Sequence, residues 1–398
     1  NLVSDNWYIP FELPLPKGLG VYSPIFSIRS STSCGIGQYS DIRNLVDVCN
    51  AIGASLIQLL PINDTTDKGE WADSYPYRQV SCFALHPVFI DLLEIPNLPQ
   101  SMIDEVNNMK WELEQLETVD YPRVFAFKMD IMNRFFEQNV EDIAVDEDLS
   151  SFVQENKEWL YPYALYCHFR DKFGTSEFTE WPQHSTITPG EVDVLCEKLH
   201  DDLLFTYWVQ YTADNQYRKS FEYATEHRVA IKGDLPIGVH IYSSEVWYQP
   251  GLFHKDMCAG APPDAFSGDG QNWGFPTYNW EEMAKDGFKW WRRRLVRMSK
   301  LYHVLRVDHV LGFFRIWEIP RDSAVRGLLG HYNPCNWMSR DELARWGLWD
   351  IDRYTKPYVP FHVLRQKFGD RAAEIAEKFF NPRGVSYHDD MFDFKEEF

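Results

Sequence analysis

The sequence has no long apolar run and relatively few positive charges, and both absences narrow the range of functions. Its 39 Lys and Arg residues against 59 Asp and Glu residues give a formal net charge of −20. This excess of negative charge argues against nucleic acids and anionic membrane surfaces as partners. No stretch approaches the length of a membrane span, and the N-terminus does not have the shape of a signal peptide. We therefore expect neither a nucleic-acid partner nor a membrane.

Paired cysteine motifs and metal-binding motifs are also missing. The seven cysteines are scattered without any C-x-x-C spacing, which is typical of reduced thiols and predicts a cytoplasmic location. Neither an H-E-x-x-H motif nor an EF-hand loop is present, and no Gly-rich phosphate loop occurs. We expect no metal and no cofactor.

Aromatic residues are abundant, at 16% of the chain, with 15 Trp, 21 Tyr and 27 Phe. Aromatic faces beside many carboxylates are the groups that carbohydrate sites use, because sugar rings stack on flat faces and sugar hydroxyls bond to acids. A protein core rich in aromatic side chains would give the same composition. The composition therefore leaves both interpretations open.

The N-terminal pattern predicts a β-α-β unit. Residues 17–26 have the composition of a short buried strand, and 55–62 form a second apolar run that ends at a proline. Between them, 40–54 carries apolar residues at helical spacing, with Ser40 as the expected cap and Gly53 near the end. Two strands joined in this way are parallel and have a right-handed crossover.

The rest of the chain continues this alternation after a long helical stretch. Apolar strand patterns resume at 228–239 and 303–310, with a helix pattern at 288–302 between them. We predict an α/β fold with four segments. They are the β-α-β unit at 1–62, a helix-rich insertion subdomain at 63–226, the resumed strand and helix pattern at 227–320, and the remainder at 321–398.

Two predicted strands end in a carboxylate, Asp234 in "KGDLP" and Asp308 in "RVDHV". The carboxyl ends of the strands form the active-site face of a β/α barrel. Because side chains alternate along a strand, Arg306 should point the same way as Asp308 and favour its ionised form. A carboxylate that stays ionised suits a glycosidic nucleophile. Turn aspartates or helix caps would explain the same positions without any catalytic function.

Four segments, in this order along the chain, combine aromatic and acidic residues. They are "SYPYRQVSCFALHP" (74–87), "GDLPIGV" (233–239), "PPDAFSGDGQNWGFPTYNW" (262–280) and "RVDHVLGFFRIWEIP" (306–320). Together they resemble the 4-α-glucanotransferases of glycoside hydrolase family 77, and within it the cytosolic plant-type enzymes. The resemblance implies a (β/α)8 TIM barrel of the α-amylase superfamily, of which this chain would hold the N-terminal part. It also implies that the catalytic barrel starts at 1–62 and continues, with the nucleophile strand, at 227–320, and that 321–398 starts an insertion.

The resemblance also implies roles for six residues. Asp308 matches the catalytic nucleophile and Arg306 its catalytic neighbour, while His309 matches a residue beside the reacting sugar. The remaining matches are substrate-binding positions: Asp234, Trp273 and Tyr77. The segment "SYPY" has one residue more than the family's usual Ser-Pro-Tyr, which weakens the match at Tyr77.

The family's acid/base glutamate, in an "E-D-L-G" context after the nucleophile strand, has no counterpart here. We therefore expect a partial sequence that is inactive alone, with Glu318 the nearest glutamate after Asp308. The predicted activity is transfer of α-1,4-glucosyl units from maltose or malto-oligosaccharides to glucose, glycogen or a starch-like glucan. An α-glucan hydrolase and a non-catalytic glucan-binding protein stay open as alternatives.

Overall fold

The computed structural model describes residues 18–321, 327–348, 351–386 and 389–396. The chain divides into two compact units, one extending to Pro334 and the other beginning at Cys335. The finer division predicted at residues 62, 226 and 320 stays a prediction. The predicted strand 17–26 begins at a residue outside the described part.

Strands and helices alternate in the first unit, and the second unit has a small set of both. The strands are β1 (Leu19–Tyr22), β2 (Ala54–Gln58), β3 (Ala230–Leu235), β4 (Phe253–His254), β5 (Met257–Ala261), β6 (Gln271–Asn272), β7 (Thr277–Tyr278), β8 (Val304–Val307), β9 (Ile316–Pro320), β10 (His331–Asn333), β11 (Val359–Pro360), β12 (Phe380–Ser386) and β13 (Asp389–Phe394). The helices are α1 (Asp41–Ile52), α2 (Gln100–Glu114), α3 (Tyr121–Ala144), α4 (Glu147–Phe173), α5 (Pro189–Lys198), α6 (His200–Glu226), α7 (Ser244–Tyr248), α8 (Trp280–Lys285), α9 (Lys289–Leu301), α10 (Arg340–Arg345), α11 (Asp352–Thr355), α12 (Phe361–Phe368) and α13 (Ala372–Phe379).

The central sheet is parallel and has the strand order β1-β2-β3-β8. Helix α1 connects β1 to β2, and α9 precedes β8, so helices cross between parallel strands as predicted. The register between β3 and β8 places Asp234 opposite Arg306. The described strands thus form a four-stranded parallel sheet with helical crossovers, which is the α/β arrangement expected from the sequence.

Helix α1 ends as the sequence predicts but begins differently. Gly53 adopts the left-handed conformation at the C-terminus, with φ of 72°. Ser40 occupies the N-cap position, but its hydroxyl donates a hydrogen bond to Asp91 Oδ2 at 2.5 Å and caps no backbone amide of the helix. Asp41 Oδ2 accepts a hydrogen bond from the Gln38 amide at 2.8 Å. The predicted capping role of Ser40 is therefore wrong, because Ser40 has helical dihedral angles, φ −62° and ψ −33°, and not the extended conformation in which an N-cap oxygen accepts from the first turn.

Five helices, α2 to α6, lie between β2 and β3, as the helical pattern of that region indicated. Many of the aromatic side chains belong to the core. Tyr39 and Tyr217 meet edge to face at 5.7 Å, and Trp247 and Trp290 are almost completely buried. In the described part of the chain, no helix is both long and apolar enough to cross a membrane. All seven cysteines are free thiols, as predicted.

A second, antiparallel sheet of the first unit has the order β10-β9-β5-β6. Its strands β5 and β6 lie between β3 and β8 in the chain, whereas β9 and β10 follow β8. Strand β6 ends directly before Trp273, so this sheet holds the segment that contains that residue. In the second unit, a three-stranded antiparallel sheet, β11-β13-β12, packs with α12 and α13 around a small apolar cluster.

Lys128 of α3 is completely buried, and no carboxylate of the described residues forms an ion pair with it. Its ammonium group donates hydrogen bonds to Gln38 Oε1 at 2.9 Å, to the Val88 carbonyl at 2.8 Å and to the Ile90 carbonyl at 2.7 Å. Burial lowers the pKa of Lys128 to about 8, against the weaker opposing effect of nearby Cys34 and acidic groups. The lysine therefore ties α3 to the segment after β2.

We expect the stability contribution of Lys128 to increase with pH. Its pKa is lower in the folded state than in the unfolded state, so the unfolded state binds the proton more tightly between about pH 8 and 10.5. Relative to Lys128→Met, the wild-type free energy of unfolding should rise across this window by on the order of 3 kcal/mol. Urea unfolding at several pH values measures the difference. Lys219→Met, on the exposed face of α6, is the control. A pH-independent difference for Lys128→Met would contradict the expectation.

Candidate active site

One arginine connects two carboxylates at the carboxyl ends of neighbouring strands. Arg306 Nη1 donates to both oxygens of Asp234, at 2.8 and 2.7 Å, and its Nη2 donates to Asp308 Oδ1 at 2.8 Å. The planar guanidinium group supplies this geometry because its donors lie in a fixed fork. The predicted contact between Arg306 and Asp308 is therefore present.

Strand register explains why these groups meet. Asp234 and Arg306 are paired residues of β3 and β8, and Asp308 follows the last residue of β8, on the same face as Arg306. The Asp308 amide donates to the Leu235 carbonyl at 3.1 Å, which extends the pairing by one residue. The side chain of Asp234 is 1% exposed, whereas that of Asp308 is 33% exposed. Asp234 is thus enclosed, while Asp308 is open to a ligand.

The same buried carboxylate also binds Tyr77. The Tyr77 hydroxyl donates to Asp234 Oδ2 at 2.9 Å. Burial, and then this hydrogen bond and the charge of Asp234, raise the pKa of Tyr77, which keeps the phenol protonated as a donor. Tyr75 lies beside it with ring centroids 5.6 Å apart but is 59% exposed. Of the two tyrosines in "SYPY", Tyr77 is therefore the one bonded to Asp234.

The segment after Tyr77 is attached to the chain that follows β3. The Ser244 amide donates to the Val80 carbonyl at 2.8 Å, and the Ser81 hydroxyl donates to Glu245 Oε1 at 2.7 Å. Burial raises the pKa of Glu245. These contacts hold the Tyr77 segment against α7, which follows the strand that carries Asp234.

His309 has an unusual backbone conformation next to Asp308. Its φ and ψ of 45° and 53° lie in the left-handed region, which non-glycine residues seldom adopt. A Cβ atom at Gly312 would lie 2.8 Å from the imidazole, so the ring packs where Gly312 has no side chain. Burial lowers the pKa of His309, against the opposing charge of Asp308. Near neutral pH the imidazole is therefore uncharged.

Trp273 is the last of the six predicted site residues, and it contacts His309. Its ring meets His309 edge to face, with centroids 4.9 Å apart and planes at 79°. Hydrogen bonds thus join Tyr77, Asp234, Arg306 and Asp308, and a ring contact joins Trp273 to His309, the residue after Asp308. The structure therefore brings together all six residues predicted from the sequence. Their assigned roles in catalysis and substrate binding remain predictions.

Two residues near the site were assigned no function from the sequence. Phe275 stacks beside Trp273 at 5.8 Å, and a Cβ atom at Gly238 would lie 2.1 Å from the Phe275 ring. Both belong to segments that were singled out for other residues. A glycine and a phenylalanine about 40 residues apart carry no sequence signal of mutual contact.

Glu318, the nearest glutamate after Asp308 in the chain, lies in β9 and is buried. Its Oε1 accepts a hydrogen bond from the Thr277 hydroxyl at 2.5 Å, and its Oε2 lies 3.8 Å from His331 Nε2. The two oxygens therefore face side chains of two other strands, Thr277 of β7 and His331 of β10. Among the described residues, no group of three or more His, Cys, Asp or Glu side chains could hold a metal ion.

Parallel strands with acidic groups at their carboxyl ends define a protein of the β/α-barrel class. The chain belongs to glycoside hydrolase family 77, because that family's profile, described as 4-alpha-glucanotransferase, matches residues 23–369. The rice (Oryza sativa subsp. japonica) 4-alpha-glucanotransferase DPE2 is 43% identical over 385 residues, covering 96% of this chain and 40% of the rice protein. A Chlamydia pneumoniae 4-alpha-glucanotransferase is 35% identical over 325 residues, covering 81% of this chain and 60% of that protein.

Solved structures agree with the family. The amylomaltase from Streptococcus agalactiae in complex with acarbose has a TM-score of 0.66 and 28% sequence identity, covering 89% of this chain and 68% of that chain. The chain spans about half the length of the rice and Chlamydia pneumoniae proteins. The barrel fold predicted from the sequence is confirmed.

We expect Arg306→Ala to destabilise the protein because it leaves Asp234 buried without its cation. Removing one partner of a fully buried pair costs about 3–5 kcal/mol, and since the Arg306 side chain is 41% exposed we expect about 2–3 kcal/mol. Urea unfolding of Arg306→Ala, alone and combined with Asp234→Asn, measures this. The loss should shrink in the double variant, because the amide carries no charge. An equal loss in both backgrounds would show that Arg306 acts through packing alone.

Proposed function

We propose that this chain supplies the nucleophile and part of the sugar-binding site of a retaining 4-α-glucanotransferase. One observation carries the proposal: a single guanidinium group bridges an enclosed carboxylate and an accessible one at the ends of β3 and β8. Membership of family 77 supports it. Asp308 is the nucleophile because it is the more exposed of the two carboxylates.

In the first step, Asp308 attacks the anomeric carbon of an α-1,4-linked glucosyl unit. A bond forms between that carbon and the carboxylate, the bond to the leaving oxygen breaks, and an acid delivers a proton to that oxygen. Arg306 donates a hydrogen bond to Oδ1 of Asp308, so we assign the attack to the other oxygen of Asp308, Oδ2. The product is a glycosyl ester on Asp308 and a shortened glucan or glucose.

In the second step, a hydroxyl of the acceptor sugar attacks the anomeric carbon and displaces the Asp308 carboxylate. The conjugate base of the acid takes the hydroxyl proton, a new glycosidic bond forms and Asp308 leaves as a carboxylate. Transfer predominates over hydrolysis when the bound acceptor keeps water away from the ester. Neither step requires a cofactor or a metal.

The other residues of the site bind sugar in this proposal. Asp234, enclosed in this structure, serves the sugar through the groups that it holds in place, Arg306 and the Tyr77 hydroxyl. Neutral His309 offers a hydrogen-bond partner, and Trp273 provides an aromatic face. Maltose and malto-oligosaccharides are the donors, and glucose, glycogen or a starch-like glucan the acceptors. The protein would act in maltose, glycogen and starch metabolism. The seven free cysteines support action in the reducing cytoplasm.

We expect Asp308→Asn to abolish transfer in the full-length gene product. The amide cannot form the ester, so the rate should fall on the order of 10³-fold or more. Glucan binding and the unfolding midpoint should change little, because the amide has nearly the shape of the carboxylate. The exposed Asp142→Asn on α3 is the matched control for loss of one negative charge.

The products formed from maltotriose separate the possible activities. Longer oligosaccharides indicate transfer, whereas glucose and maltose alone indicate an α-glucan hydrolase. Glucan binding without turnover in the full-length gene product would identify a non-catalytic binding protein. Substantial turnover by Asp308→Asn would exclude Asp308 as the nucleophile.

We further expect residues 1–398 alone to lack transferase activity. A retaining site needs a second carboxyl group roughly 5–5.5 Å from the nucleophile, and the carboxylate of Glu318 is engaged by Thr277. Assay of residues 1–398 with maltose and glycogen, beside the full-length gene product, tests this. Clear transfer by the short chain would contradict it, and Glu318→Gln would then show whether Glu318 is the acid/base.

A further inference from the structure

The backbone of the segment that carries Trp273 is fixed independently of its aromatic side chains. The Trp273 amide donates to the Ala259 carbonyl, and the Ala259 amide donates to the Phe275 carbonyl, both at 2.9 Å. Arg321 donates through its guanidinium group to the carbonyls of Gly274 and Met257, each at 3.2 Å. Because main-chain bonds fix this segment, a side chain within it can change without releasing the backbone.

The ring of Phe275 lies on the chain that follows β3. A Cβ atom at Gly238 would be 2.1–2.4 Å from three Phe275 ring atoms, which is closer than real Cβ contacts allow. The backbone of Gly238 is not in the left-handed region, so alanine is excluded there by the ring and not by the main chain. Gly238 comes shortly after Asp234, so Phe275 contacts the side of the site formed by β3.

Trp273 contacts an aromatic ring on each side. Phe275 stacks against it at 5.8 Å with planes 27° apart, while His309 meets it edge to face at 4.9 Å. The Phe275 ring therefore links the β3 side of the site, at Gly238, to an indole that reaches the β8 side, at His309. The indole Nε1–H also donates to Gln271 Oε1 at 3.0 Å, so Phe275 supplies one of the contacts that set the tilt of the indole, and the indole would lose that contact if the ring moved.

We infer that Phe275, seated on Gly238, is a positioning residue that holds the Trp273 indole at the angle at which it binds glucan. The inference rests on the proposed function, in which Trp273 offers an aromatic face to the sugar. Phe275 acts through Trp273, so its loss should weaken glucan binding more than it slows the chemical step. Gly238 matters because it leaves room for the Phe275 ring.

The first experiment measures KM and kcat for maltotriose, and the Kd for acarbose by calorimetry, in the full-length gene product. An aromatic contact supplies enough free energy for Phe275→Ala to raise KM and Kd about 2- to 12-fold, with kcat within about twofold. Phe275→Tyr keeps the ring and should retain wild-type values. If Phe275→Ala does not fold, Phe275→Leu replaces it, and equal KM values for the Leu and Tyr variants would overturn the inference.

The second experiment is a double-mutant cycle. Gly238→Ala should raise KM in the wild-type background, because the new methyl group displaces the Phe275 ring. In the Phe275→Ala background the same change should have almost no further effect, since the ring is absent. An equal increase in KM in both backgrounds would contradict the claim that the Phe275 ring packs against Gly238.

Trp273→Leu separates this inference from the proposed function on which it rests. If Trp273→Leu raises KM and Phe275→Ala does not, Trp273 binds glucan and the positioning role of Phe275 is wrong. If Trp273→Leu leaves both KM and Kd unchanged, the binding role proposed for Trp273 fails, and the inference falls with it.

Discussion

The site depends on the forked ion pairing of Arg306. In a chain with a net charge of −20, two carboxylates on adjacent strand ends would repel each other, and one of them is enclosed. A guanidinium group can satisfy both, because its donors diverge in one plane. A lysine ammonium group would offer the charge without this geometry. The enclosed carboxylate in turn accepts the Tyr77 hydroxyl, so the position of the tyrosine follows from that of the arginine.

The sequence allowed this part of the site to be predicted because the determinants are local and periodic. Alternation along β8 places Arg306 and Asp308 on one face, and parallel strands bring their carboxyl ends to the same edge of the sheet. The helix end at Gly53 was predictable for a similar reason, since glycine adopts the left-handed conformation most readily. The absence of a cap at Ser40 was not, because Ser40 has helical dihedral angles and its side chain is directed to Asp91, which is distant in the sequence.

Other features depend on contacts between distant residues and could not be predicted from one sequence. The hydrogen bonds of buried Lys128 and the seat of the Phe275 ring on Gly238 arise only when segments pack in three dimensions. The aromatic composition was ambiguous for a physical reason as well. Aromatic side chains here fill the core, as Trp247 does, and also flank the strand ends, as Trp273 does.

The long helical stretch between β2 and β3 has a consequence for the folding reaction. Leu56 of β2 pairs with Ala230 of β3, so forming this ladder closes a loop of roughly 170 residues. Helices form from local contacts. Parallel pairing across such a separation closes a long loop, so the conformational entropy of the intervening chain is lost either before the strands pair or when they pair. The central sheet should therefore assemble late. Until then the apolar strands remain exposed, and a nascent chain would depend on chaperones during this interval.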